Sequence, residues 1–516
     1  MGVPLTLTKM FKTDGLNALT YGIFDAGVGV ATGVIGFPVT KIIENLRPIW
    51  IPAANEKVGI DLAVGAAASG TRSVFVTKHV GLNVASDSLI TAATHGIGAG
   101  LVVIAGDDPG AKFSQNEQDS RYYGKIAEIP VMDPHSARNA YDCALEAFEL
   151  SALLSVPIIV RITGRLLNTQ GIVERVPSAR CVSKSIDKSI WNLTHLGRHQ
   201  HFLRHTYPKM LQFAETTDLN EQDGDGAIGI VSAGYASTLV DDAIQGRDDV
   251  AHLRLGVVNP LCQRRIDSFL KKHNRVLVVE EGSPLIEESV HAKVLGKLSG
   301  HVPRFGELTS NDVTKALTYI EADYMTARFD VETLETRRYT EDICDDCPFL
   351  PFYRALDQVD AMIAGDMGCV IRTANPPFRL VDAAYSLGSA IGVASGFEQG
   401  GLAILGDYAF LHSGIAALIS AAVFKRNVKA FVLENRISAI TGGQPTPEIS
   451  DLVGAVCRNY GITYKLVDAT DLNEMSYADL LQAASDSTGT LVVVIRAACS
   501  KYGPRQNSGA SGTSRF

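Results

Sequence analysis

Apolar runs alternate with amphipathic stretches along most of the chain. In the first block, three β-rich runs occupy residues 72–77, 100–106 and 156–163, and each is bounded by glycine, proline or charged residues. Between them, residues 60–70 and 137–155 carry apolar side chains at the spacing of amphipathic helices. Strands that alternate with helices predict a parallel sheet.

The same pattern occurs twice more along the chain. A polar stretch over residues 183–225 precedes a second block, and a charged connector over residues 323–345 precedes a third. We therefore predict an α/β protein of three doubly wound parallel-sheet domains, residues 1–182, 183–335 and 336–504, followed by a flexible polar tail at residues 505–516. The strand-like runs of the second and third blocks are residues 226–237, 252–261, 274–284, 401–408, 428–435 and 489–497.

Composition excludes several classes of protein. A net charge of -9 without a basic block argues against nucleic acid as the main partner. Eight cysteines among 516 residues do not make a disulfide scaffold. The amino terminus lacks the apolar core of a signal peptide, and the apolar runs are too short to span a bilayer. We expect a cytoplasmic protein that binds neither nucleic acid nor membrane.

Two polar acceptors follow strand-like runs of the third block. Gly406-Asp407 ends the first run and Asn435 ends the next, which places both at carboxyl ends of strands, where open α/β sheets bind ligands. Mg²⁺ takes a few oxygen ligands and leaves its other positions to diphosphate oxygens. Asp407, the Asn435 side chain and the Ile437 carbonyl could supply such ligands, and Gly406 lets the main chain approach phosphates. The alternative is that these are ordinary turn residues.

A Gly-Asp pair followed about thirty residues later by Asn resembles the thiamine diphosphate motif, although Tyr408 stands where most such enzymes have a second Gly. Longer strings resemble the large (alpha) subunit of the indolepyruvate:ferredoxin oxidoreductases, in matching order over most of the chain. That resemblance implies two thiamine diphosphate-binding domains and a transketolase C-terminal type domain between them. The matching strings are residues 55–87, 113–134, 277–288, 365–369, 386–398 and 406–447.

The resemblance also implies roles for individual residues. Glu56 would bond the pyrimidine ring, whose imino tautomer removes the C2 proton of the thiazolium, and its pKa should rise in a water-poor cleft. Without the resemblance, Glu56 would be a solvated residue that begins a helix. The other residues implied to line or bind the cofactor site are His79, Asn83, residues 116–121, Leu387, Gly388, Tyr408 and His412, of which His79 and His412 are the further catalytic candidates.

Four cysteines match those that hold an iron-sulfur cluster in the related pyruvate:ferredoxin oxidoreductases. These enzymes use a C-x-x-C pair, a third cysteine shortly downstream and a fourth much later; here these are Cys344, Cys347, Cys369 and Cys499. The resemblance therefore implies a [4Fe–4S] cluster, with a zinc site as the open alternative and a disulfide disfavoured in a reducing compartment. The remaining four are predicted to be ordinary core residues: Cys143, Cys181, Cys262 and Cys457.

Three features depart from the family or stand apart from it. The sequence has no ferredoxin-like cysteine runs after Cys499, so electrons are expected to pass to a partner subunit or a ferredoxin. Phe37 stands where the family has a Thr that would bind the substrate carboxylate or carbonyl, which implies a reshaped pocket. Residues 195–205 hold four histidines spaced as metal-binding pairs on a helix can be, but the corresponding family segment is a basic helical linker.

The activity implied by the resemblance is oxidative decarboxylation of a 2-oxo acid, aryl-pyruvate-like or related. Thiamine diphosphate, Mg²⁺ and the cluster would be its cofactors, coenzyme A its acyl acceptor, and a homodimer its core. A non-oxidative decarboxylase or carboligase on the same cofactor is the rival hypothesis. A non-catalytic scaffold subunit is a third.

Overall fold

The computed structural model describes residues 9–176, 184–325, 341–398 and 400–503. The chain divides into two compact units, residues 1–329 and residues 330–516, and each is described by itself. The tail predicted for residues 505–516 and the predicted core residue Cys181 lie outside the described residues. Among the helices within these ranges, none combines the length and apolarity that a bilayer crossing requires.

The first unit contains two mainly parallel sheets and a small antiparallel pair. Seven strands form the larger sheet in the order β12-β6-β7-β5-β4-β2-β3, four form the smaller one in the order β13-β10-β11-β9, and β1 pairs with β8. The strands are β1 (Lys9–Asp14), β2 (Val30–Gly33), β3 (Trp50–Pro52), β4 (Ser73–Lys78), β5 (Leu101–Asp107), β6 (Val131–Met132), β7 (Ile158–Thr163), β8 (Gln170–Arg175), β9 (Glu221–Asp223), β10 (Ile228–Ala233), β11 (Val250–Leu255), β12 (Val257–Asn259) and β13 (Arg275–Val279).

Helices cover these sheets and connect their parallel strands. The predicted helices over residues 60–70 and 137–155 are confirmed as α3 and α6, and the polar stretch before the second block forms α8 to α10 with a π-helical turn at Phe202–Thr206. The helices are α1 (Gly15–Asp25), α2 (Thr40–Asn45), α3 (Glu56–Ala68), α4 (His79–His95), α5 (Tyr122–Ala127), α6 (Ala137–Leu154), α7 (Gly164–Leu167), α8 (Lys188–Trp191), α9 (His195–His201), α10 (Tyr207–Thr216), α11 (Tyr235–Ala243), α12 (Gln263–Lys272), α13 (Leu285–Ser289) and α14 (Ser310–Thr318).

One predicted strand is split between the two sheets of this unit. The run at residues 252–261 was expected to be a single strand, but β11 lies in the smaller sheet and β12 pairs antiparallel with β6 at the edge of the larger one. The break falls at Gly256, because its backbone N–H and that of Val257 both donate to Oδ1 of Asn220, at 3.0 and 3.1 Å, instead of to a neighbouring strand. The second block therefore completes the sheet of the first.

A buried ion network joins the two sheets inside the same apolar core. Arg121 is fully buried and bonds Asp119, Glu280 and the carbonyl oxygens of residues 281 and 283. Arg161 on β7 bonds Asp107 and Asp133. Removing one member of such a network leaves an uncompensated buried charge, which costs about 3–5 kcal/mol. The network therefore fixes the loop after β13 against the first sheet.

The second unit is an open parallel sheet covered on both faces. Its strand order is β14-β15-β16-β20-β19, all parallel, with a separate β17–β18 hairpin. The strands are β14 (Ile363–Ala364), β15 (Gly401–Gly406), β16 (Val428–Glu434), β17 (Ile437–Ser438), β18 (Gln444–Pro445), β19 (Thr463–Asp468) and β20 (Leu491–Arg496). The helices are α15 (Leu350–Leu356), α16 (Ala390–Ser395), α17 (Asp407–Ala409), α18 (Ile415–Val423), α19 (Ser450–Tyr460) and α20 (Glu474–Asp486).

Successive side chains of this sheet enter two different apolar clusters. On β16, Phe431 and Leu433 pack into one cluster with α15 and α20, whereas Ala430 and Val432 pack into the other with α16, α18 and α19. Burial on both faces explains why the central strands read as continuous apolar runs. The polar groups after the carboxyl ends of β14, β15 and β16 therefore gather at one edge of a rigid sheet.

Candidate functional site

The Asp407 carboxylate joins the ends of two neighbouring strands. β15 and β16 are adjacent and parallel, and Oδ2 of Asp407, just after β15, accepts backbone N–H groups of Asn435 at 3.0 Å and Arg436 at 2.6 Å. Asp407 is buried, and burial raises its pKa although these bonds and one from the Tyr408 N–H at 2.7 Å oppose the shift. The two acceptors expected from the sequence are thus held side by side.

The loop after β16 is fixed at both of its ends. Oδ1 of Asn435 accepts the N–H of Ile437 at 3.0 Å, and Ile437 begins the β17–β18 hairpin. At the far end, the buried Glu434 carboxylate accepts the N–H groups of Ile449 at 2.6 Å and Ser450 at 3.1 Å, at the start of α19. A carboxylate is favoured there because it bonds otherwise unpaired helix N–H groups. The loop therefore holds Asn435 and Ile437 close together, beside the Asp407 carboxylate that follows β15.

A second carboxylate, Asp366, lies just after β14. Oδ1 accepts N–H groups of Met367 at 2.8 Å and Gly388 at 3.0 Å, and Oδ2 accepts that of Ala390 at 3.4 Å. Burial raises the pKa of Asp366 to about 6, while these bonds and the nearby His412 oppose the shift. Sequence reasoning missed Asp366, although the Gly-Asp pair in "GDMGC" after an apolar run carried the same signal as Gly406-Asp407.

Gly388 joins this carboxylate to the segment after β15. Its φ is +81°, and a Cβ there would lie 2.8 Å from the Ala409 carbonyl oxygen and would collide with the Ser413 hydroxyl. The Ser413 hydroxyl donates to the Leu387 carbonyl oxygen at 3.0 Å, and Nδ1 of the buried His412 lies 3.0 Å from the Ser413 hydroxyl oxygen. Leu387, Gly388 and His412 are therefore neighbours at this edge of the sheet.

The raised pKa of Asp366 has a consequence for stability. Because the folded protein holds this proton more tightly than the unfolded chain, the contribution to the free energy of unfolding is full below about pH 4. It is lost as the pH rises through about 6, and its size is on the order of 3 kcal/mol. Asp366→Asn cannot ionise, so we expect its free energy of unfolding to fall less than that of the wild type as the pH rises from about 4 to about 7. Urea denaturation followed by circular dichroism at each pH measures this difference.

The control for this experiment is Asp360→Asn, at an exposed position of the same unit. It should leave the pH dependence unchanged. An Asp366→Asn profile that coincides with the wild-type profile between about pH 4 and pH 7 would contradict the assignment.

The four predicted cluster cysteines all lie in the second unit. The Cys347 N–H donates to the Cys344 carbonyl at 3.1 Å, Cys369 begins a short 3-10 helix after β14, and Cys499 follows β20. Burial raises the pKa of Cys347 to about 12, and the charges of Cys369, Cys344 and Cys499 add to the shift. All four are free thiols. Within the described ranges, no group of three or more His, Cys, Asp or Glu side chains is arranged as a metal site.

Other residues singled out in the sequence have structural environments. Cys143, Cys262 and Cys457 are buried in apolar clusters, as predicted. In the histidine-rich tract, the His201 and His205 rings lie 4.7 Å apart, across the π-helical turn that follows α9. The tract is helical, as the linker interpretation expected.

In the first unit, Glu56 is the first residue of α3 and is buried against the start of α4. Asn55 caps α3 by accepting the Val58 N–H at 2.9 Å. A Cβ at Gly81 would lie 2.7 Å from Cγ of Glu56 and would collide with its Oε1 and with the Thr77 hydroxyl. Only glycine at position 81 leaves room for the Glu56 carboxylate in this position.

Hydrogen bonds join the start of α4 to residues 116–123. Nε2 of the buried His79 lies 3.1 Å from the Asn116 carbonyl, and burial lowers the pKa of His79, so the neutral ring is favoured. Asn83 accepts from the Tyr123 hydroxyl at 2.6 Å and donates to Gln118 at 3.0 Å. Arg121 was expected to line the same cleft, but its side chain is fully buried in the ion network, where its guanidinium bonds the carboxylates of Asp119 and Glu280.

Phe37 follows β2 and is partly exposed. Its ring centroid lies 4.5 Å from that of Phe113, which is more exposed still. A Cβ at Gly164, after β7, would lie 2.9 Å from Cζ of Phe37. Phe37 therefore lies at the carboxyl edge of the seven-stranded sheet, the same edge as Glu56 and Lys78.

Comparison with known proteins agrees with this arrangement. Residues 39–213 match the family described as "Pyruvate flavodoxin/ferredoxin oxidoreductase, thiamine diP-bdg". Residues 366–500 match "Thiamine pyrophosphate enzyme, C-terminal TPP binding domain". The solved 2-oxoglutarate:ferredoxin oxidoreductase of Magnetococcus marinus aligns with a TM-score of 0.50 and 14% identity over 62% of this chain and 67% of that chain. At that identity the likeness concerns the fold.

Two curated relatives are similar over most of their length. The indolepyruvate oxidoreductase subunit IorA of Methanothermobacter thermautotrophicus is 34% identical over 84% of this chain and 76% of its own. That of Archaeoglobus fulgidus is 29% identical over 94% of this chain and 86% of its own. The chain therefore belongs to the indolepyruvate oxidoreductase subunit IorA family of thiamine diphosphate-dependent 2-oxoacid oxidoreductases.

Proposed function

We propose that this chain carries out the oxidative decarboxylation of a 2-oxo acid to an acyl-coenzyme A, with electrons leaving through a [4Fe–4S] cluster to a ferredoxin or a small partner subunit. Two copies of the chain would form the core of the enzyme. The observation that carries the proposal is the Asp407 carboxylate, which is buried and bonded to the backbone of the Asn435 loop.

Asp407, Asn435 and Ile437 would hold Mg²⁺ and, through it, a diphosphate. The fit rests on hard oxygen donors: one carboxylate, one side-chain amide and one backbone carbonyl, which leave room for phosphate oxygens. Space around Gly406 supports it, because a Cβ at this position would meet no atom within 4 Å. Tyr408, where most such enzymes have a second Gly, is compatible with this role, because it bonds Asp407 through its backbone N–H and not through its side chain.

Glu56 would bond the pyrimidine ring and exchange a proton with it. When bound, thiamine diphosphate supplies an electron sink for decarboxylation of the 2-oxo acid. The close packing of Gly81 supports a fixed carboxylate, and His79, neutral because its pKa is lowered, would offer a hydrogen-bonding ring nearby. His412, held by Ser413, would hold or give a proton beside Gly388.

Cys344, Cys347, Cys369 and Cys499 would hold the cluster as thiolates. Their mutual effect on the pKa of Cys347 supports the grouping, because charges interact in this way only at short range. Iron would favour the thiolate form of each cysteine, including Cys347 and Cys369, whose burial raises the pKa of the thiol. Cluster binding would then supply the one-electron acceptor of the reaction.

The test is anaerobic purification of the full chain followed by three measurements. We expect thiamine diphosphate to bind only with Mg²⁺ in calorimetry, iron and sulfide to be present in equal amounts, and 2-oxo acids with coenzyme A to reduce a viologen dye. Aldehyde release without any electron acceptor would instead support a non-oxidative decarboxylase. Absence of Mg²⁺-dependent cofactor binding would contradict the proposal.

A further inference from the structure

A cavity of about 360 Å³ lies at the opposite end of α4 from His79. Its lining comes from the carboxyl ends of α4 and α6, from residues 184 and 190, and from residues 201–209, where α9 passes through the π-helical turn into α10. The 17 residues of α4 span about 25 Å, so the cavity is well separated from His79 and Glu56. A cavity of this volume can hold a small molecule.

The titratable side chains that line this cavity are all basic. They are Lys184, Lys209, His201 and His205, and none of the described lining residues is acidic. The rings of His201 and His205 lie 4.7 Å apart, so one ligand group can reach both. In a chain whose net charge is -9, a concave surface lined by basic groups favours an anion.

These basic groups keep hydrogen-bonding capacity for a ligand. Nζ of Lys184 donates to the Ala152 carbonyl oxygen at 3.4 Å and to the Ser155 hydroxyl oxygen at 3.1 Å, which fixes it at the end of α6 and leaves one of its three N–H donors. Among the residues that the structure describes, the side chains of Lys209, His201 and His205 have no ion-pair or hydrogen-bond partner. An anion would therefore not have to displace an internal partner.

The remainder of the lining is mainly apolar. Leu154, Val156 and Phe202 are buried in the main apolar cluster of the first unit, and Ile190 is half-buried. Close packing fixes the buried side chains, so this part of the wall is preformed. A ligand with both an anionic group and an apolar body would cover the basic and the apolar surface together.

We propose that this cavity binds a small organic phosphate, with the phosphate group at the four basic side chains and the apolar body against the wall that includes Ile190 and Phe202. A phosphate monoester carries about -1.5 to -2 charges at pH 7 and three acceptor oxygens. Several basic groups match it better than they match a single carboxylate. The site lies beyond the proposed function and does not rest on it.

The test compares three probes that share parts of such a ligand. Ligand-observed NMR titration would use the full chain supplied with Mg²⁺ and thiamine diphosphate, so that the cofactor occupies its own diphosphate site. The probes are phenyl phosphate, inorganic phosphate, which lacks the ring, and benzyl alcohol, which lacks the charge. We expect phenyl phosphate to bind at least about 10-fold more tightly than either of the others.

Substitutions at the rim separate the two halves of the site. Lys209→Gln should weaken phenyl phosphate and inorganic phosphate about 3- to 10-fold, whereas Lys209→Arg keeps the charge and should keep most of the affinity. Ile190→Thr should lower the preference for phenyl phosphate over inorganic phosphate about 2- to 5-fold. The matched controls are Lys271→Gln and Ile172→Thr, at exposed positions of the same unit outside the cavity, and they should change neither affinity.

The outcomes also separate this inference from the proposed function. Equal affinities of the wild type for phenyl phosphate and inorganic phosphate would overturn the inference, and so would binding by Lys209→Gln that matches the wild type. Absence of cofactor binding in calorimetry would contradict the proposed function alone, because the effect of Lys209→Gln on phenyl phosphate still decides whether the cavity is the site. Unchanged melting temperatures of the variants show that a lost affinity does not come from unfolding.

Discussion

A Glu56→Gln variant is expected to bind thiamine diphosphate and Mg²⁺ as the wild type does but to turn over 2-oxo acids about 10²- to 10⁴-fold more slowly. Glutamine has the same shape as glutamate and fits the space that Gly81 leaves, so α3 and α4 should keep their packing. Its amide cannot exchange a proton with the pyrimidine ring. The measurement is kcat from viologen reduction, together with the calorimetric Kd of the cofactor.

Two alanine substitutions test whether the position of the carboxylate matters as well as its chemistry. Gly81→Ala places a Cβ against Glu56 and should lower kcat by displacing the carboxylate. Gly65→Ala, on the exposed face of α3, meets no atom within 4 Å and should leave kcat unchanged while stabilising the helix by about 0.5–1 kcal/mol. If Glu56→Gln retains wild-type kcat, the carboxylate has no part in the reaction.

A Cys347→Ala variant is expected to lose its iron and its acceptor-dependent activity together. Three remaining thiolates do not complete a cubane cluster, so iron and sulfide content should fall to background and 2-oxo acids should no longer reduce the viologen. Cofactor binding should persist, because Asp407 and Asn435 are unchanged. The measurements are iron and sulfide content, the visible absorption of the cluster and viologen reduction.

Cys457→Ala is the matched control for this loss. Cys457 lies on α19 in the same unit and is buried among apolar side chains, so its removal should cost some stability but no iron. Zinc in place of iron in the anaerobically purified wild type would show that the four cysteines hold a different metal. Full iron content in Cys347→Ala would remove Cys347 from the ligand set.

Local pattern was enough to find the central strands and the positions of Asp407 and Asn435 at their carboxyl ends, but it left open whether these two residues bind Mg²⁺ or are ordinary turn residues. β15, β16 and β20 are buried on both faces, so their apolar runs are continuous, and Asp407 and Asn435 follow them directly. Resemblance was needed for Glu56, because a buried carboxylate that begins a helix has the same local sequence as a solvated one.

Long-range contacts account for what the sequence did not reveal. The split of residues 252–261 depends on an amide oxygen of Asn220, and the burial of Arg121 in the ion network depends on Glu280, far along the chain. Asp366 was missed although its Gly-Asp pair carries the same signal as Gly406-Asp407, and β14 before it has only two residues in the sheet. Neither spacing nor periodicity encodes partners at such separations.

The crossing of β12 into the larger sheet has a consequence for how this protein can evolve. Because one stretch of the second block completes the edge of the first block's sheet, and a single apolar cluster spans both, recombination that exchanged either block alone would separate paired strands. A gene fusion or duplication that preserved folding would have to carry the two blocks as one inherited piece.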